Sequence, residues 1–120
     1  DNKYDVSTFG GALRKTLTLL QEKYPDMRIL IVSPIYCALG ENNTKKCYDT
    51  KYGNGGFLQE YVSLEKEIAA EFDVEWLDAY HESGIWEENA SEYMMDNLHP
   101  NAKGQELLSD YLAEYLHDNL

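Results

Sequence analysis

The chain has 120 residues, 43% of them hydrophobic and ten of them tyrosines, which is ample for one core and amounts to one domain's worth of chain at most. A chain of this size buries roughly two-thirds of the surface that its unfolded form exposes. Ten basic against twenty-two acidic side chains leave a formal charge of -12, which repels nucleic-acid phosphates and anionic headgroups and argues against both as partners.

Ser7 or Thr8 caps a first helix running to about Tyr24, because Phe9, Leu13, Leu17, Leu20 and Tyr24 recur at three- and four-residue steps. Pro25 stops it. Residues 28–33 are a short run of Ile, Leu and Val bounded by Pro34, and they read as a strand buried on both faces of a parallel sheet. This is also the longest apolar run, far too short to span a bilayer, and no signal-like segment opens the chain. The lack of an initiator Met fits a piece of a longer protein or a processed one.

From residue 35 to 56 the composition shifts to Gly, Asn, Lys, Asp and Tyr, a long surface loop of the kind that often carries function. Cys37 and Cys47 both lie in it. They close a disulfide if the protein is exported or stay as two thiols in the cytosol, and two cysteines do not decide between a secreted and a cytoplasmic home. With no His nearby they make a poor zinc set, and His81 and His117 read as surface residues, so no metal site is expected.

Residues 57–72 form a second amphipathic helix, with Phe57, Tyr61, Leu64, Ile68 and Phe72 on one face. Residues 74–78 are a second short strand and residues 79–95 a loop. A third helix then runs to about His117, buried through Leu107, Leu108, Tyr111, Leu112 and Tyr115. There is no internal repeat and no low-complexity linker. Helix, strand, helix, strand, helix implies an α/β fold with right-handed crossovers and a parallel sheet covered by helices on both faces. Two strands are a small sheet, and an exposed strand edge invites pairing with another chain, so a dimer or swapped homo-oligomer is expected if the chain folds alone.

Chemistry concentrates where the loop enters the last helix. Asp96 precedes His99 by three residues, so on a tight turn its carboxylate accepts a hydrogen bond from ring Nδ1 and leaves Nε2 free to take a proton from a nucleophile. The same residues also suit a plain turn, since Pro100 and Asn101 look like a helix entry. In parallel α/β sheets reacting groups gather outside the carboxyl ends of the strands. Ser33-Pro34 and Asp78 end their strands on that rim, and Nε2 of His99 is expected to face it. Ser33 has no Gly-x-Ser-x-Gly elbow, and Pro34 lacks a backbone N–H for an oxyanion hole, so Ser33 is expected to line a pocket. Tyr36 and Trp86 either shape an acyl or sugar pocket or simply pack.

The longer pattern Asp96-x-x-His99-Pro100-Asn101-x-x-Gly104, with an amphipathic helix after it, resembles the C-terminal motif of the SGNH (GDSL) hydrolase family. Residues 1–13 look like the segment just after the Gly-x-Asn-Asp block in its esterase-like members. Tyr24-Pro25-Asp26 and residues 28–34 resemble its helix, Tyr-Pro turn and strand ending in Ser-Pro. Residues 74–84, with Trp76-Leu77-Asp78 and Ser83-Gly84-Ile85, are similar to its next strand and loop. The resemblance covers essentially the whole chain, although only its last motif is specific.

Such enzymes carry a nucleophilic Ser in a Gly-Asp-Ser block, plus a Gly and an Asn that complete the oxyanion hole. Neither that block nor Gly-x-Asn-Asp occurs here. The resemblance therefore implies that residues 1–120 are the C-terminal part of a single SGNH domain, a partial flavodoxin-like α/β/α sandwich lacking its N-terminal strands. It also implies an ester hydrolase whose Ser lies upstream, with His99 and Asp96 as its catalytic positions in this chain. Ser33, Tyr36, Asp78 and Trp86 are the candidate substrate-binding residues. No cofactor is implied. A small-molecule or glycan ester, short in its acyl chain, is the expected substrate, since no strongly apolar lid helix is visible. A non-catalytic, carbohydrate-binding or scaffolding relative of the fold is the other reading.

Overall fold

Thr8 opens the first helix, its Oγ1 accepting the Gly11 N–H at 3.0 Å. The computed structural model describes residues 2–37 and 57–120. Helix α1 (Phe9–Lys23) closes where Tyr24 N–H reaches the Leu20 carbonyl, one residue before Pro25. Strand β1 (Leu30–Val32), helix α2 (Leu58–Glu71) and strand β2 (Glu75–Leu77) come next, each lying inside the span its sequence pattern implies. The strands pair in parallel, Leu30 with Glu75, Ile31 with Trp76 and Val32 with Leu77. Asp73 ends the α2 segment with a left-handed φ of 53°, while Val74 N–H returns to the Ala69 carbonyl at 2.9 Å.

Two compact units divide these elements, Asp1–Ser33 with Gln59–Leu77 and Pro34–Leu58 with Asp78–Leu120. In the first, Leu17, Val62, Ile68, Ala69 and Leu77 are buried. The α1 face differs from its expected form: Phe9 and Tyr24 are exposed, and Gly10 and Gly11 are buried in their place. A Cβ on Gly11 would lie 1.9 Å from the Asp5 carbonyl oxygen, so only glycine lets the preceding turn fold back onto the helix. Arg14 Nε holds Glu71 Oε2 at 2.7 Å, and Gln21 donates to the Phe72 carbonyl at 2.9 Å, tying α1 to the end of α2.

Glu65 is 8% exposed among these apolar groups and accepts the Trp76 indole N–H at 2.9 Å. Burial pushes its carboxyl above the ordinary range, and the indole bond works against that shift. The expectation that β1 is buried on both faces is not met, since Val32 is 43% exposed. A parallel sheet buries a strand only where helices cover both faces, and in a two-stranded sheet each strand is also an edge.

In the second unit Tyr36, Cys37, Ile85, Ala90 and Met94 form the buried cluster, with Trp86, Tyr93, Leu107 and Leu108 packed on it. The span expected to be a loop, residues 79–95, contains two single-turn helices, α3 (Ala79–Glu82) and α4 (Ala90–Tyr93). Both are too short to show a 3.6-residue apolar period in sequence. The last helix, α5 (Ala102–Asn119), buries only Gly104 fully. Leu107 and Leu108 pack on the cluster, whereas Tyr111, Leu112 and Tyr115 are half-buried rather than buried. Cys37 is buried and engaged in a disulfide. Cys47 and most of the long loop, residues 38–56, lie outside the described residues.

Candidate active site

The turn between α4 and α5 is built from backbone upward. Met94 and Pro100 form an antiparallel bridge, Met95 N–H donates to the His99 carbonyl at 2.9 Å, and Asn101 N–H donates to the Tyr93 carbonyl at 2.8 Å. Asn97 takes a left-handed φ of 64° at the tip, a conformation its short polar side chain tolerates. Asn101 then caps α5: Oδ1 accepts the Gly104 N–H at 2.9 Å, and Nδ2 donates to the Glu92 carbonyl at 2.8 Å. Gly104 completes the clamp, because a Cβ there would fall 2.1 Å from the Tyr93 carbonyl oxygen. Each defined position after His99 thus has a local job: Pro100 bridges, Asn101 caps and Gly104 admits the neighbouring backbone.

Asp96 sits at the throat of this turn. Its Oδ1 accepts the backbone N–H of His99 at 2.6 Å and of Leu98 at 3.1 Å, and its Oδ2 lies 2.5 Å from His99 Nδ1. The His99 N–H, then its ring, then the Leu98 N–H favour the carboxylate form and pull the Asp96 pKa down to about 2. An Asp ionised throughout the neutral range keeps Nδ1 as the donor and leaves the Nε2 lone pair available to accept a proton. Both side chains are solvent-exposed.

A second pair has the same spacing, and the sequence pattern alone does not single it out. Asp78 caps α3 by accepting the His81 N–H at 3.1 Å, and its two oxygens lie 3.0 and 2.9 Å from His81 Nδ1. His81 is exposed, as the sequence suggests, and Asp78-Ala79-Tyr80-His81 repeats the pattern read at Asp96. Helix capping accounts for this pair: an N-cap carboxylate binds the N3 backbone, and the N3 side chain reaches back. Asp96 and His99 stand apart, since His99 precedes Pro100 and the helix starts only at Ala102.

Trp86 and, through it, Tyr36 lie on the His81 side of this unit. The His81 ring stacks on Trp86 at 6.0 Å between centroids, and Trp86 meets Tyr80 edge-on at 5.3 Å and Tyr36 at 4.8 Å. Tyr36 has no exposed surface and packs in the unit's core. Trp86 is half-buried, its backbone N–H donating to Asn89 Oδ1 at 2.8 Å. Periodicity marks Tyr111 only as a core residue; its hydroxyl is buried with no hydrogen-bond partner among the described residues, and burial, Glu82 and Asp78 raise its pKa. Ser33 belongs to the other unit, buried directly after β1 with its N–H on the Leu77 carbonyl at 3.0 Å. Among the described residues no three acidic, His or Cys side chains cluster to hold a metal, and no helix is long and apolar enough to cross a membrane.

Fold and turn together define an α/β protein that presents a carboxylate-held histidine at the entry to its last helix. The chain belongs to the GDSL-like lipase/acylhydrolase family, whose model matches residues 1–107. It is similar to a crystal structure of a protein from Lactobacillus plantarum, with 26% identity and a TM-score of 0.81 over 97% of this chain and 56% of that one. A second crystal structure matches at 22% identity and a TM-score of 0.78, covering 98% of this chain and 52% of the other. The esterase domain of the ORF1 protein from the zebrafish ZfL2-1 retrotransposon shares the fold at 20% identity and a TM-score of 0.61, over 89% and 56% of the two chains. The chain thus spans about half the length of the structures it matches, within the GDSL/SGNH esterase fold. No curated protein matches it.

Proposed function

We propose that the protein carrying this chain hydrolyses carboxylic esters through a Ser nucleophile, with His99 as general base and then general acid and Asp96 as its orienting partner. The observation that carries this reading is the double hold of Asp96 on His99, at the backbone N–H and at ring Nδ1. In that arrangement Nε2 removes the nucleophile's proton and returns it to the leaving alcohol, while the carboxylate stabilises the imidazolium between those steps. The chain is the C-terminal part of one SGNH domain in this reading. The nucleophile lies outside these 120 residues, because no Gly-Asp-Ser or Gly-x-Asn-Asp occurs among them. Small-acyl esters or acetylated carbohydrates are its substrates.

The test compares two proteins on p-nitrophenyl acetate. The chain alone gives negligible turnover, since a base without a nucleophile and oxyanion donors offers little rate enhancement. The longer protein with the upstream blocks is active and loses that activity on His99→Ala. Robust turnover by the chain alone, abolished by Ser33→Ala, would overturn this assignment of the nucleophile.

A further inference from the structure

Met95 is an exposed apolar side chain on the turn that carries the base. It is 70% exposed, yet its backbone is pinned, with its N–H on the His99 carbonyl and the adjoining Met94 bridged to Pro100. The Met95–His99 backbone bond closes the turn one position inside the Met94–Pro100 bridge, so the two residues are neighbours across the turn. Leu98, 38% exposed, is the other apolar side chain of the same turn. Folding of the turn uses the backbone of Met95 and leaves its thioether in solvent.

Resting on the proposed function, the chemistry fixes what lies there. Nε2 takes the proton of the nucleophilic hydroxyl as the Ser oxygen bonds to the acyl carbon. It gives that proton to the ester oxygen as the acyl C–O bond breaks, releasing the free alcohol. The ester oxygen must then lie within hydrogen-bond reach of Nε2, so the part of the substrate beside His99 is its alcohol and not its acyl chain. We infer that Met95 is a specificity-determining residue that packs on the alcohol portion of the ester and favours uncharged alcohols with an apolar surface. An unbranched thioether adapts to an alkyl chain, an aromatic ring or the C–H face of a sugar. The acidic surface of the chain weighs further against anionic alcohols.

The full-length protein is assayed on ethyl, butyl and hexyl acetate, whose alkoxides leave with similar ease, and on ethyl acetate, butanoate and hexanoate. In the parent kcat/KM rises with alcohol length. Met95→Ala lowers it about 10-fold more on hexyl acetate than on ethyl acetate, mainly through KM. Met95→Leu keeps the preference, and the acyl series is unaffected by either substitution. The hexyl-to-ethyl ratio within one variant does not depend on how much of it is folded. A ratio unchanged in Met95→Ala, or a loss that tracks acyl length instead, overturns the inference. If His99→Ala retains turnover, the proposed function itself falls and this falls with it; if His99→Ala is inactive and the Met95→Ala ratio is unchanged, only the Met95 assignment falls.

Discussion

Asp96 grips His99 at two points, one oxygen on its backbone N–H at 2.6 Å and the other 2.5 Å from ring Nδ1. The carboxylate therefore sets the turn and the ring orientation together, and neither depends on a long helix for support. Asp78 holds His81 by the same pair of contacts, but as the N-cap of α3.

The first prediction concerns the Asp96 carboxyl. Its folded pKa of about 2 lies below the ordinary 3.8, so its hold on His99 is fully present above pH 3.8 and is lost as the pH falls through about 2. Carbon-13 NMR of the side-chain carboxyl should show that midpoint. His99→Ala should raise it only part of the way, because the backbone N–H groups of residues 98 and 99 remain as donors. A midpoint near the ordinary value in the parent would contradict the geometry.

Gly104→Ala should disturb the turn from behind. The added methyl meets the Tyr93 carbonyl at 2.1 Å, so α5 or the α4 end must move. Overpacking of this kind costs about 1–3 kcal/mol. Thermal melts should show that loss, and ester turnover should fall with it because Asn101 and His99 lie on the displaced segment. Unchanged stability would mean that the backbones separate without penalty.

Glu65→Gln should stabilise the protein at neutral pH. The folded carboxyl titrates above 4.5, so the cost of ionising it is absent at low pH and grows as the pH rises through the window starting at 4.5. Glutamine keeps an acceptor for the Trp76 indole and carries no charge. The gain should be on the order of 1 kcal/mol at pH 7 and vanish near pH 4, read from chemical denaturation at both pH values. A gain that does not change with pH would place its origin elsewhere.

Periodicity locates α1, α2 and α5 because each repeats its apolar positions over several turns, and Pro25 and Pro34 mark the stops after α1 and β1. The Asp96–His99 contact is legible because three residues and a proline confine it to one turn. Burial is less so. Glycine shows no hydrophobic signal, so the packing of Gly10, Gly11 and Gly104 is invisible in sequence, while Phe9 and Tyr24 fit the pattern at helix ends where little covers them. The His81 pair escapes because its spacing stands out only where a longer family motif frames it.

The two pairs should separate in kinetics. In the full-length protein His99→Ala should lower kcat by on the order of 10⁴-fold, and Asp96→Asn or Asp96→Ala by less, because the base carries the proton and the acid orients and stabilises it. Members of one proton relay act as a unit, so the double variant should be about as poor as His99→Ala alone. Asp78→Ala should instead cost about 1 kcal/mol of stability through the lost α3 cap, with kcat changed by roughly a few-fold at most. His81→Ala and His117→Ala should likewise leave turnover near that of the parent. For His81 the reason is its capping role, and for His117 its place in the exposed last turn of α5, where it pairs with Asp118 at 3.1 Å. Steady-state kinetics with circular dichroism on every variant decides the matter. A loss on His81→Ala as large as that on His99→Ala would move the base from the α5 entry to α3.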